Sequence, residues 1–129
     1  KVHENRILEN KDEFIVIDKS PGVPVQGWTK SKKNLIDILA SSEFFKDTKP
    51  FPVHRLDKET SGIMIISKNH NSARLLTTLF RLRKIHKTYL AVCHGHIGKK
   101  KGELKNELIT YENDRKKWVK NKLHIFEIH

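Results

Sequence analysis

A chain of 129 residues, 36% hydrophobic and 32% charged, is sized for a single core, and its organised apolar runs exclude a disordered polyelectrolyte. No run is long enough to span a bilayer, the basic start Lys1 to Arg6 lacks the apolar stretch of a signal peptide, and the lone Cys93 excludes an intrachain disulfide. Lysine and arginine number 26 against 15 acidic residues, a formal net charge of +11 that draws polyanions and points to nucleic acid, although charge serving only solubility has the same composition.

In chain order, the β-branched run Phe14, Ile15, Val16 and Ile17 between acidic and basic flanks predicts a short buried strand. Ser20 to Pro24 follows as a loop, because Pro21 and Pro24 remove backbone donors and fix φ. Asn34 is placed to cap a helix whose apolar face is Leu35, Ile36, Ile38 and Leu39. Glu43 to Pro52 reads as connecting loop, and Ile63 to Ile66 as a second buried strand. Asn69 or Asn71 then opens the clearest helix, with Leu75, Leu76, Leu79, Phe80 and Leu82 on one stripe and Arg81, Arg83 and Lys84 in the last turn. Lys87 to His94 alternates as a strand would. Past the glycine- and lysine-rich turn Gly95 to Gly102, Glu103 to Thr110 and Trp118 to His129 predict two more strands. The expected fold class is α+β, a mixed and mainly antiparallel sheet with flanking helices.

The segment with most chemical content is His54, Arg55, Leu56, Asp57, Lys58, Glu59, Thr60, Ser61, Gly62, just before the second predicted strand. A carboxylate beside Arg55, ahead of small turn residues, suits a positioned nucleophile or base. It suits equally a plain turn in which Asp57 and Thr60 bond locally and Arg55 forms a surface ion pair. On chemistry alone the plain turn is the commoner arrangement.

The full string resembles the signature of the pseudouridine synthases of the large ribosomal subunit type: histidine-arginine-leucine-aspartate, two variable residues, then threonine-serine-glycine. Ile15 to Val25 is similar to that family's first motif, a strand running into lysine, proline and glycine, here with Pro21 second after Lys19 rather than first. Lys87 to Gly95 resembles the third motif, in which lysine and tyrosine stand one residue apart as Lys87 and Tyr89 do. The resemblance runs from about Ile7 to Gly95.

The resemblance implies that residues 1–129 are the N-terminal portion of a pseudouridine synthase catalytic domain, without a separate N-terminal RNA-binding module. It implies Asp57 as the catalytic aspartate, with Arg55, Tyr89 and His54 at the substrate. Arg55 would hold the flipped nucleotide or the position it vacates, and Tyr89 would pack on the uracil ring. Leu56, Thr60, Ser61, Gly62 and Lys87 would support the motif. The implied reaction isomerises uridine to pseudouridine in structured RNA, ribosomal RNA ahead of transfer RNA, with no cofactor, no metal and no membrane, in the cytoplasm. Oligomeric state, target RNA and target uridine do not follow from the residues.

The family's later motif, threonine-glycine-arginine, whose arginine pairs with the aspartate, has no counterpart in the chain. The catalytic domain is therefore expected to be incomplete at its C-terminus, with an open sheet edge near Trp118 to His129. The alternative is a basic RNA-binding remnant of the same fold without activity. A metal site from Cys93, His94 and His96 fails because on a strand Cys93 faces away from both histidines. Ser61 lacks the glycine-flanked elbow that exposes a nucleophilic serine.

Overall fold

The run from Phe14 to Lys19 forms strand β2, and it pairs antiparallel with β4 (Gly62–Ser67) from Phe14↔Ser67 to Lys19↔Gly62. This register sets Ile15 opposite Ile66 and Ile17 opposite Met64, so these four apolar side chains are buried on one face of the pair, with Lys19 at its end. These residues and the rest of the fold belong to a computed structural model that describes residues 6–27, 34–112 and 115–127. The chain divides into two compact units, Lys1–Thr88 and Tyr89–His129, each described below by itself.

In the first unit the sheet runs β1-β2-β4-β3, with β1 (Ile7–Asn10) and the two-residue β3 (Phe51–Pro52) as edges. Every pairing is antiparallel. Against the apolar face pack Val25 of the proline loop, Leu35 and Leu39 of helix α1 (Leu35–Ala40), Phe45 and Leu56. Asn34 caps α1 as expected: its side-chain oxygen accepts from the Asp37 amide at 2.9 Å, and its amide nitrogen donates to the Asp37 carboxylate at 2.9 Å. The free N–H groups of Leu35 and Ile36 donate to the carbonyls of Pro24 and Val25, which ties the proline loop to the helix.

Asn69 caps the second helix, α2 (His70–Arg81), accepting from the Ser72 amide at 2.8 Å. The helix ends earlier than its basic residues suggested. Arg83 adopts φ 57°, its N–H donates to Phe80 and that of Lys84 donates to Leu79, the pattern of a left-handed C-terminal stop. Arg83 and Lys84 therefore lie beyond the last turn rather than in it.

Three segments depart from the sequence reading. Within Glu43 to Pro52, read as loop, Glu43–Phe45 makes a 3-10 turn that buries Phe45, and Phe51–Pro52 makes the short edge strand. Ile7–Asn10, which the apolar pattern did not mark, is an edge strand carrying mostly polar or exposed side chains. Lys87 to His94 does not form the expected strand: it pairs with no other strand among the described residues. Alternation shows which faces a strand would offer, but the strand itself exists only through ladder hydrogen bonds. Leu90 and Val92 are accordingly 89% and 98% exposed.

The second unit is a two-stranded ribbon of β5 (Lys101–Glu112) and β6 (Arg115–Glu127). Its register runs from Lys101↔Glu127 to Glu112↔Arg115, with a shift at Thr110/Tyr111. Pairing carries both strands further toward the turn than the apolar pattern alone marked. Among the described residues neither strand pairs with a second neighbour.

Candidate active site

Asp57 lies between an anchored leucine and a tight turn. Leu56 is 5% exposed and sits in the core with Ile17 and Met64, while Arg55 and Asp57 on either side are exposed. Burying the middle residue of the triplet turns both charged neighbours outward. Immediately after, the Thr60 amide donates to the Asp57 carbonyl at 3.0 Å and closes a turn over Lys58 and Glu59. Gly62 then enters β4 at φ +130°, a conformation that a side chain at this position would strain.

The turn is held from beneath by Lys19, which is 2% exposed. Its ammonium donates to the carbonyls of Ser20 at 2.8 Å, Lys58 at 2.9 Å and Thr60 at 2.7 Å, using all three of its donors. The Lys58 carbonyl also accepts from the amide of Gly22, a residue at φ +88° in the proline loop. Burial lowers the Lys19 pKa from its usual 10.5, and the carboxylates of Glu59 and Asp57 oppose that shift. Lys19 was read only as part of a motif, yet its phase carried a signal. Ile15, Ile17 and Lys19 share one face of β2, so alternation placed a lysine on the core side.

His54 faces inward. Its Nε2 accepts from the Ile65 amide at 3.2 Å, and its ring lies 4.5 Å from that of Phe80 on α2, tilted by 31°. The Lys87 ammonium stands 5.7 Å from the Phe80 ring centre. Burial and the charge of Lys87 together lower the His54 pKa below the usual 6.5.

The first unit thus brings His54, Arg55, Leu56, Asp57, Thr60, Ser61 and Gly62 together on one loop and sets Lys87 near Phe80. Tyr89 belongs to the second unit, where its side chain is 57% exposed. Sharing of one cleft by Asp57 and Tyr89 concerns both units and lies outside what either one describes. Among the described residues no three histidine, cysteine, aspartate or glutamate side chains cluster as metal ligands would, and no helix is long and apolar enough to cross a membrane.

The chain is similar to several known proteins. The human RNA Pseudouridylate Synthase Domain Containing 4 matches in fold with a TM-score of 0.60 over 96% of this chain and 52% of that one, at 19% identity. Ribosomal large subunit pseudouridine synthase C of Rickettsia bellii is 38% identical over 109 residues, covering 84% of this chain and 36% of the relative. The tRNA pseudouridine synthase C of Haemophilus ducreyi is 35% identical over 99 residues, covering 76% and 40%. The chain therefore spans about half of the human protein and 36% and 40% of the two bacterial synthases. The family described as RNA pseudouridylate synthase matches residues 13–128, nearly the whole chain and including the His54 to Gly62 loop, and the chain belongs to that family.

Proposed function

We propose that the protein converts uridine to pseudouridine in structured RNA, ribosomal RNA ahead of transfer RNA, with Asp57 as the catalytic carboxylate. The observation that carries this reading is the mounting of Asp57: exposed, flanked by buried Leu56, and seated on a turn that the Lys19 ammonium holds by two carbonyls. A reacting group gains from such fixed placement, because misplacement by an ångström costs about two orders of magnitude in rate.

In this reading the target uridine is extruded from its stem, which costs a few kcal/mol. Stacking on the ring of Tyr89 offsets part of that, ~1–3 kcal/mol by analogy with single-strand binders. Arg55, exposed beside Asp57, contacts the extruded nucleotide or its vacated position. The N1–C1′ bond then breaks, the uracil turns, C5 bonds to C1′, and the C5 hydrogen leaves as N1 takes a proton, so substrate and product are isomers. Asp57 acts as nucleophile or base, roles an amide cannot fill.

The test is Asp57→Asn in the complete gene product. Unchanged RNA affinity with no pseudouridine formed, read by release of tritium from uridine labelled at C5, supports the reading. Turnover at the parental rate sinks it. A parental protein that binds RNA and makes no pseudouridine in any ribosomal or transfer RNA would favour the inactive remnant instead. Arg55→Ala is expected to weaken both capture and turnover.

A further inference from the structure

Strand β3 stops after Pro52, although β4 continues. Its register, Phe51↔Ser67 and Pro52↔Ile66, would next set Val53 opposite Ile65. The chain instead turns inward at buried Val53 and onward to Leu56. The Ile65 N–H, left without a strand partner on that side, donates to the Nε2 of His54 at 3.2 Å. An imidazole replaces the missing ladder bond.

Only an unprotonated ring nitrogen can accept a hydrogen bond, so this geometry places the proton of neutral His54 on Nδ1. Nδ1 is buried and has no hydrogen-bond partner among the described residues. The ring face is closed by Phe80 at 4.5 Å. A polar ring held this tightly, at the head of the loop that bears Asp57, does more than fill space.

We propose that His54 is a positioning residue for Asp57: its neutral imidazole, held between the Ile65 amide and the Phe80 ring, fixes the leading end of the loop as Lys19 fixes the trailing end. The inference rests on the reading of Asp57 as the catalytic carboxylate. It also gives the site a dependence on protonation. β4 and α2 face the ring with Ile65 and Phe80, neither ionisable, and the charged neighbour acting on it is Lys87. Both burial and that cation favour the neutral form. When the ring takes up a second proton, Nε2 becomes a donor facing a donor and the loop loses its hold.

The experiment compares His54→Ala, His54→Gln and Asp57→Asn in the complete gene product, with transcribed ribosomal RNA as substrate. His54→Ala is expected to lower kcat about 10²-fold with KM little changed, the signature of misplacement rather than lost binding. His54→Gln, whose side-chain oxygen can accept from the same amide, is expected to recover most of kcat. It should also lack the part of the acid limb lying between the carboxylate range and pH 6.5. Parental kcat in a folded His54→Ala, or His54→Gln no better than His54→Ala, overturns the proposal. Retained turnover in Asp57→Asn would instead remove the functional reading beneath it. Should His54→Ala fail to fold, the imidazole ¹⁵N shifts of the parental protein decide: a proton on Nδ1 at neutral pH is expected, and a proton on Nε2 overturns the proposal.

Discussion

At the scale of single residues, the loop is governed by two polar side chains with opposite requirements, the buried Lys19 and the half-buried His54. Lys19 must be protonated to donate to three carbonyls, and His54 must be unprotonated at Nε2 to accept from Ile65. Lys19→Met keeps the apolar stem and strands the acceptors, so the expected loss of stability is about 1.5–3 kcal/mol, read from the urea midpoint at unchanged slope. For His54 the pH window follows from the sign of its shift. Its folded pKa lies below 6.5, so as pH falls from 6.5 the unfolded chain takes up a proton that the native ring refuses. Stability attributable to His54 is therefore fully present above about 6.5 and lost as pH falls toward its lowered native value. His54→Gln removes that component, so the difference in stability between the two proteins should change with pH in this window and level off beneath it. A difference independent of pH across that range would contradict the assignment.

At the scale of elements, short helices and strands in the first unit depend on caps and cross-links more than on propensity. Helix α1 has six residues, too few to persist alone, and is held by Asn34 and by the carbonyls of the proline loop. Helix α2 buries no residue completely, so its N-terminal attachment counts for more. There Asn69 caps the Ser72 amide and bonds the Glu13 carboxylate, while the Ser72 hydroxyl donates to the Glu13 carbonyl at 2.9 Å. Asn69→Ala is expected to cost about 1 kcal/mol, seen as a lowered Tm and faster amide exchange in the first turn of α2. Asn69→Asp, which preserves the cap and opposes Glu13, should separate the two contributions. Of the stripe expected on α2, Leu76, Leu79 and Phe80 are partly buried, whereas Leu75 is exposed and Leu82 is exposed beyond the helix end, and the early stop was not legible in the spacing. That stop depends on Arg83 accepting a left-handed backbone, which no residue type in the segment announces.

At the scale of the whole molecule, the surplus of 26 cationic over 15 anionic side chains is the property most directly tied to a polyanionic partner. If it serves RNA, neutralised phosphates release counterions, and log affinity should fall linearly with log salt at about −0.7 to −0.9 per phosphate contacted. Fluorescence anisotropy with a structured ribosomal RNA fragment measures that slope. A flat salt dependence, or equal affinity for duplex DNA, would count against an RNA-modifying role. Among the described residues β6 pairs only with β5.

From sequence alone, the string from His54 to Gly62 identified the family, and the continuous apolar runs Phe14 to Ile17 and Ile63 to Ile66 predicted the two central strands. Both are local properties: a motif is a fixed order of residues, and a short β-branched apolar run marks a buried strand without knowing the partner. Tertiary structure alone decided which strands pair, because ladder bonds join residues far apart in the chain. It joined Phe14 to Ser67, and it left Lys87 to His94 without a partner despite a suitable pattern. It also decided what Lys19 and His54 do. A lysine in phase with core residues signals an inward charge, but the carbonyls of Lys58 and Thr60 that receive it come from a loop about forty residues away. Likewise, only folding brings the Ile65 amide to a histidine eleven residues earlier, where a strand that ended early left a donor to be satisfied.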